Sequence, residues 1–251
     1  MAGHSKWANI QHRKGKQDKI RAKAFTKVGR EIIVAAKLGG GDPDMNPRLR
    51  LAISKAKAVN MPNDRIKRAI DTGAGGTDTS DYQEVRYEGY GPAGVAIIID
   101  ALTDNRNRTV AEVRMAFTKC GGALGETGSV GFMFDRVGQI MYPADKASAD
   151  KMFEAVVEAG AENCESDEEF HIITTAMEDL ASVRDALEKI FGEAEKAELI
   201  WSANTMAEVN EDQASSIMNL VEMLEDNDDV QAVTTNMDVS DEIMEKLMAA
   251  G

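Results

Sequence analysis

From Gln17 to Leu38 apolar side chains return as Ile20, Ala24, Val28, Ile32 and Ala35, the spacing of a helix that buries one face. Gly39-Gly40-Gly41 supplies its C-terminal stop. Asn46-Pro47 then reads as a cap with proline in the first turn, ahead of a stripe of Leu49, Ala52, Ile53 and Ala56. Pro62 opens a third short helix around Ile66, Ala69 and Ile70, which Gly73 is expected to stop.

Beyond residue 80 the period shortens. Val85 and Tyr87 alternate with charges and predict a strand over 82–88, and the apolar run Val95 to Ile99 predicts another over 94–101. A helix follows, with Thr109 and Glu112 at capping-box spacing and Gly121-Gly122 after its end. A strand is expected at 130–135, then a turn from Asp135 to Gly138. The order continues as strand 139–142, helix 147–159, strands 161–166 and 169–174, helix 176–191 and strand 198–203. Thr175 and Glu178 form the capping box of the second helix in this series, and Gly192 closes it. This βαββαβ series is the ferredoxin-like unit. Helix 211–226 and strand 230–236 are too little for a domain, but they complement the earlier ββαβ run; a last helix is expected over 240–250.

The pattern therefore predicts an α+β protein of three domains. They are a three-helix domain over 1–80, a split α+β domain from 81–137 plus 206–251, and an inserted ferredoxin-like domain at 138–205.

Composition changes this picture only through charge. The 251 residues carry a net charge of −14, which on its face argues against a nucleic-acid partner. Residues 1–72, however, hold 17 Lys and Arg against six acids, a net +11, and the remainder of the chain is −25. Such asymmetry is the footprint of a polyanion-binding module attached to domains that the polyanion repels. On the first helix Lys16, Lys19, Lys23, Lys27, Arg30 and Lys37 fall within about 80° of one another. The next two helices add Arg48, Lys55, Lys57, Arg65, Lys67 and Arg68. Ahead of them, His4, Lys6, Trp7, His12, Arg13 and Lys14 mix cations with flat rings suited to stacking on bases.

Other chemistries find little support. Gly121, Gly122, Gly125, Gly128 and Gly131 invite a phosphate-loop reading, but the segment follows a helix instead of opening one and contains neither phosphate-loop motif. The acid runs 162–169 and 222–229 lack the glycine and spaced glutamate of a calcium loop. Cys120 and Cys164 have no motif partners and cannot form a disulfide framework, so a reduced cytoplasm is the expected compartment. No catalytic constellation, metal site or cofactor is expected. Neither is a membrane partner, because no apolar run reaches the roughly 18–20 residues of a span. The first twenty residues are polar and basic, so no secretory signal is expected. Arg106 and Arg108, on an expected strand-to-helix loop of an acidic domain, are candidates for a secondary contact with phosphate or a protein.

The run Gly3 to Lys14 (GHSKWANIQHRK), continuing to Gln17-Asp18 and Arg21, resembles the opening signature of the YebC family. That family includes bacterial probable transcriptional regulators and mitochondrial translational activators of cytochrome oxidase. Asn60-Met61-Pro62 with Arg68-Ala69-Ile70 is similar to the family pattern, as is Tyr87 to Pro92. So are Thr103-Asp104-Asn105 with Asn107-Arg108-Thr109, and Gly121-Gly122 through Gly128-Ser129-Val130. The one departure is Asp71-Thr72, where relatives tend to be more basic. The resemblance implies a three-domain, cytoplasmic, non-enzymatic regulator of gene expression. Its two branches leave two expectations open: a regulator that binds DNA through the basic domain, or a translational activator bound to ribosomal or messenger RNA and the ribosome. In either case the acidic domains are free to engage a protein partner.

Overall fold

The computed structural model describes residues 17–76, 81–240, 242, 243 and 246, with side chains from Ala22 onward. The chain gathers into two compact units. One draws on Met1–Lys23, Ser80–Asp135 and Ala203–Gly251, the other on Ala24–Thr79 and Arg136–Ser202.

In the second unit, helices α1 (Gln17–Gly39, from Ala24), α2 (Pro47–Ala58) and α3 (Asn63–Ala74) close around Ile32, Ala35, Leu49, Ala52, Ala56 and Ile66. Of the expected stripes, Ile32, Ala35, Leu49, Ala52, Ala56 and Ile66 are buried, with Val28, Ile53, Ala69, Ile70 and Phe25 packed against them; Ile20 lies outside the residues whose side chains are described. Asn46 joins α1 to α2: its amide nitrogen donates to Ala35 O (2.8 Å) and Gly40 O (2.9 Å), while its oxygen accepts from Leu49 N (3.0 Å). One buried side chain thus satisfies orphan groups at two helix ends. Gly73 does not stop α3. It lies inside the helix and is buried, and a Cβ there would stand 2.9 Å from the Ala36 Cβ, so glycine is required by the close approach of α1.

The same unit holds a four-stranded antiparallel sheet of β4 (Phe134–Pro143), β5 (Asn163–Ser166), β6 (Phe170–Ala176) and β7 (Lys196–Ala203), in the order β5-β6-β4-β7. Helices α5 (Ala149–Glu158) and α6 (Leu180–Phe191) pack on it around Ile140, Tyr142, Met152, Val156, Ile173, Val183 and Leu187. This is the ferredoxin-like arrangement. Two local expectations are corrected here. No turn separates 130–135 from 139–142: a short helical turn at Gly131–Met133 leads into one continuous strand. Gly138 sits within it because a Cβ would meet the Leu180 Cβ at 2.8 Å, the close approach that strand glycines often mark. Thr175 does not cap α6 either; it lies buried in β6 opposite Gly138, and Asp179 holds the N-cap position.

The first unit pairs β1 (Gln83–Tyr90), β2 (Ala96–Thr103), β3 (Ala123–Leu124) and β9 (Val230–Thr235) as an antiparallel sheet ordered β3-β1-β2-β9. Helices α4 (Arg106–Lys119) and α7 (Glu211–Glu225) bury Val113, Phe117, Ile217, Leu220 and Leu224 against Ile97 and Ile99. A small parallel pair, β8 (Ala207–Glu208) with β10 (Met237–Asp238), lies beside it in sequence. The C-terminal αβ piece thus completes the ββαβ run, with β9 against β2. The expected cap at Thr109 is wrong. The Asn105 side chain accepts from Arg108 N and starts α4 four residues earlier, which moves Arg106 and Arg108 from a loop into the first helical turn. Of the expected last helix, Glu242, Ile243 and Lys246 are helical and the other residues beyond Ser240 lie outside the described residues.

Candidate nucleic-acid interface

His4, Lys6, Trp7, His12, Arg13, Lys14 and Lys16 lie outside the described residues, and of Lys19 only the backbone is described. Among the remaining cations the three helices differ sharply. On α1, Lys23, Lys27 and Arg30 are half-buried, and only Lys37, in the last turn, is exposed. The Lys23 ammonium pairs with the Asp226 carboxylate and also reaches the Asp226 carbonyl at 3.2 Å.

The cations of α2 are largely engaged by acids of their own unit. Lys55 Nζ stands 3.4 Å from Glu31 and 3.9 Å from Glu198, and Lys57 Nζ is 3.3 Å from Glu193. Arg50 reaches Asp185 at 3.9 Å and bonds the carbonyls of Pro43 and Asp44. Arg48 is half-buried in the first turn. Burial pushes the Glu198 carboxyl upward, but the ammonium groups of Lys196 and Lys55 outweigh it and hold it below the usual glutamate range.

On α3 the balance is different. Arg65, Lys67 and Arg68 are all exposed, and Lys67 and Arg68 form no ion pair with another described residue. Arg65 rests its guanidinium 5.5 Å from the Phe25 ring centroid, which orients it without neutralising it. Asp64 and Asp71 are exposed on the same helix, so its cationic excess is small.

Two cation contacts depend on tertiary structure. Arg136 on β4 stacks its guanidinium 4.8 Å from the Trp201 ring on β7, a pairing that only the β4–β7 adjacency creates. In the other unit, Arg108 donates to Asp104 (2.9 Å) and Asp229 (2.7 Å), whose carboxylates stabilise its charged form. Arg106 is exposed at the start of α4, with its carbonyl 3.5 Å from the Tyr87 hydroxyl.

The glycine-rich segment already holds an anion of its own. The Glu88 carboxylate, 2% exposed, accepts from Val130 N (2.9 Å) and Gly131 N (2.8 Å). Tyr90 Oη donates to Ser129 O at 2.8 Å, and Gly125 N donates to Glu88 O at 2.8 Å. The Val130 and Gly131 amides, of the kind that cradle phosphates, are thus committed to an internal carboxylate. Burial raises the Glu88 pKa, yet these amide bonds prevail and keep it below the ordinary value. Among the described residues no group of three or more His, Cys, Asp or Glu side chains is placed to hold a metal. His171 is buried with both ring nitrogens engaged, by Ser166 Oγ (2.7 Å) and Ala147 O (3.0 Å). No helix among the described residues is long and apolar enough to cross a membrane.

Comparison with known proteins agrees with this layout. A crystal structure of a conserved hypothetical protein from Aquifex aeolicus superposes with a TM-score of 0.83 at 46% identity, covering 91% of this chain and 95% of that one. Residues 5–76 match the TACO1/YebC protein N-terminal domain, and residues 82–237 match the TACO1/YebC second and third domain, a family of transcriptional-regulator type. With both family segments present in order around the three basic helices and the two sheets, the chain belongs to the TACO1/YebC family.

Proposed function

We propose that this chain is a non-enzymatic regulator of gene expression in the cytoplasm that binds DNA phosphates through its N-terminal helical segment. The observation that carries the reading is the segregation of charge, +11 over residues 1–72 against −25 over the rest, with Lys37, Arg65, Lys67 and Arg68 exposed on the helices. Phosphate neutralisation supplies affinity with little sequence information, and an acidic remainder disfavours every binding mode except the one led by the basic helices. His4 to Lys14 would extend the contact along the polyanion.

The test is binding of the full chain to duplex DNA across a salt series, beside an Arg65→Glu, Lys67→Glu, Arg68→Glu variant. The parent is expected to lose affinity steeply with salt, and the variant to lose about 0.9 of slope for each phosphate contact removed. Equal affinity of parent and variant for DNA and RNA would overturn the assignment. The same electrostatics serve a translational activator bound to the ribosome or to messenger RNA. Sedimentation of cell extract at modest salt separates the two: travel with ribosomes and no retention on DNA replaces the DNA reading with the RNA one.

A further inference from the structure

We propose that the outer edge of β5 and the apolar flank of α5 form a docking surface for an extended, Lys/Arg-rich protein segment. Strand β5 has β6 on one side and, among the described residues, no strand on the other. Asp167 N bonds Phe170 O at 2.9 Å, and the register runs back from there through Ser166↔His171 and Glu165↔Ile172. Antiparallel alternation then turns the N–H and C=O of Glu165 toward β6, and those of Cys164 and Ser166 toward the open edge.

Helix α5 packs on β5, β6 and α6, and buries Met152, Ala155 and Val156. Phe153 and Val157, one turn apart on its flank, are left 54% and 58% exposed. In a right-handed crossover from β4 to β5, that flank is turned away from α6 and stands over the outer edge of β5. Unpaired backbone groups and an apolar wall therefore lie side by side. An added strand uses both: main-chain bonds supply affinity, and alternate side chains meet the wall.

Charge selects the occupant. Glu162, Glu165 and Glu168, on or beside β5 in the chain, are exposed. A second copy of the chain pairing through β5 would bring the same acids together, the means by which edge strands are kept from self-association. A cationic segment turns that repulsion into attraction and steers its own approach.

The probe is a labelled peptide of alternating basic residues and valine, compared with an isomer N-methylated on alternate backbone nitrogens, both titrated into the full chain. The parent peptide is expected to bind and to slow hydrogen exchange at the Cys164 and Ser166 amides. The N-methylated isomer and a Val157→Lys variant are each expected to bind about tenfold more weakly. Val157 is exposed, so the variant retains the core. Equal binding of both peptides, binding without protection of those two amides, or indifference to Val157→Lys would each refute the docking surface. The Arg65, Lys67 and Arg68 reversals should leave peptide binding unchanged, which separates this proposal from the nucleic-acid one.

Discussion

Arg108 and Asp229, 121 residues apart in the chain, meet at 2.7 Å over the first turn of α4. The same Asp229 oxygen accepts from the hydroxyls of Thr103 (3.1 Å) and Thr109 (2.8 Å), so one buried carboxylate ties β2, α4 and the approach to β9 together. Asp229→Ala would take the acceptor from the buried Thr103 hydroxyl and from Arg108, while Thr109 keeps Asn105 O at 3.1 Å, a loss of about 1–3 kcal/mol read as a lower urea midpoint. Arg108→Gln is expected to lower stability more modestly and to leave nucleic-acid affinity unchanged. Loss of affinity without loss of stability would instead make Arg108 a phosphate contact.

Glu88 gives the first unit an acid-sensitive latch. Its folded pKa lies below the unfolded one, so its contribution is fully present above the ordinary glutamate pKa and is lost as pH falls through the lower folded value. Thermal unfolding of Glu88→Gln, which retains an acceptor oxygen but does not titrate, should show a shallower decline below about pH 4.5 than the parent. Parallel profiles would mean that the latch does not depend on charge.

Gly73 sets two opposed effects against each other. Alanine favours a helix interior by about 1 kcal/mol over glycine, whereas overpacking costs about 1–3 kcal/mol. The backbone of Gly73 has no positive φ, so Gly73→Ala tests packing alone. Destabilisation is expected, because the added methyl meets Ala36 and the backbone of Ile33. A rise in Tm would show that α1 and α3 sit farther apart.

Cations already paired within their own unit should matter less to a polyanion than unpaired ones. Lys67→Ala is therefore expected to reduce nucleic-acid affinity and salt slope more than Lys57→Ala, whose ammonium faces Glu193 at 3.3 Å. Equal effects in a filter-binding series would mean that the Glu193 pair opens freely.

Periodicity made most elements legible, because Leu49, Ala52 and Ala56, or Ile97 and Ile99, repeat at the spacing of the face they bury. It failed where a local rule had a stronger rival. Thr109 matched a capping box, yet Asn105 caps the helix and the Thr109 hydroxyl serves Asp229. Gly138 suggested a turn, yet it clears space for Leu180 within a strand. At the candidate interface the sequence supplied the cations but not their availability. Whether Lys57 finds Glu193, 136 residues away, is decided by tertiary contact and leaves no trace in spacing.

The place of β9 has a consequence during synthesis. Ile97 pairs with Thr235 and Ile99 with Val233, so β2 receives its second neighbour only after the whole intervening chain has been made. At about 5–20 residues per second, that wait is on the order of ten seconds. The unit built from Ala24–Thr79 and Arg136–Ser202 can close meanwhile, since all of its strands precede residue 204. Nascent chains stalled before residue 230 would carry an isoleucine strand with one edge bare, and these are the species most prone to aggregate or to occupy a chaperone.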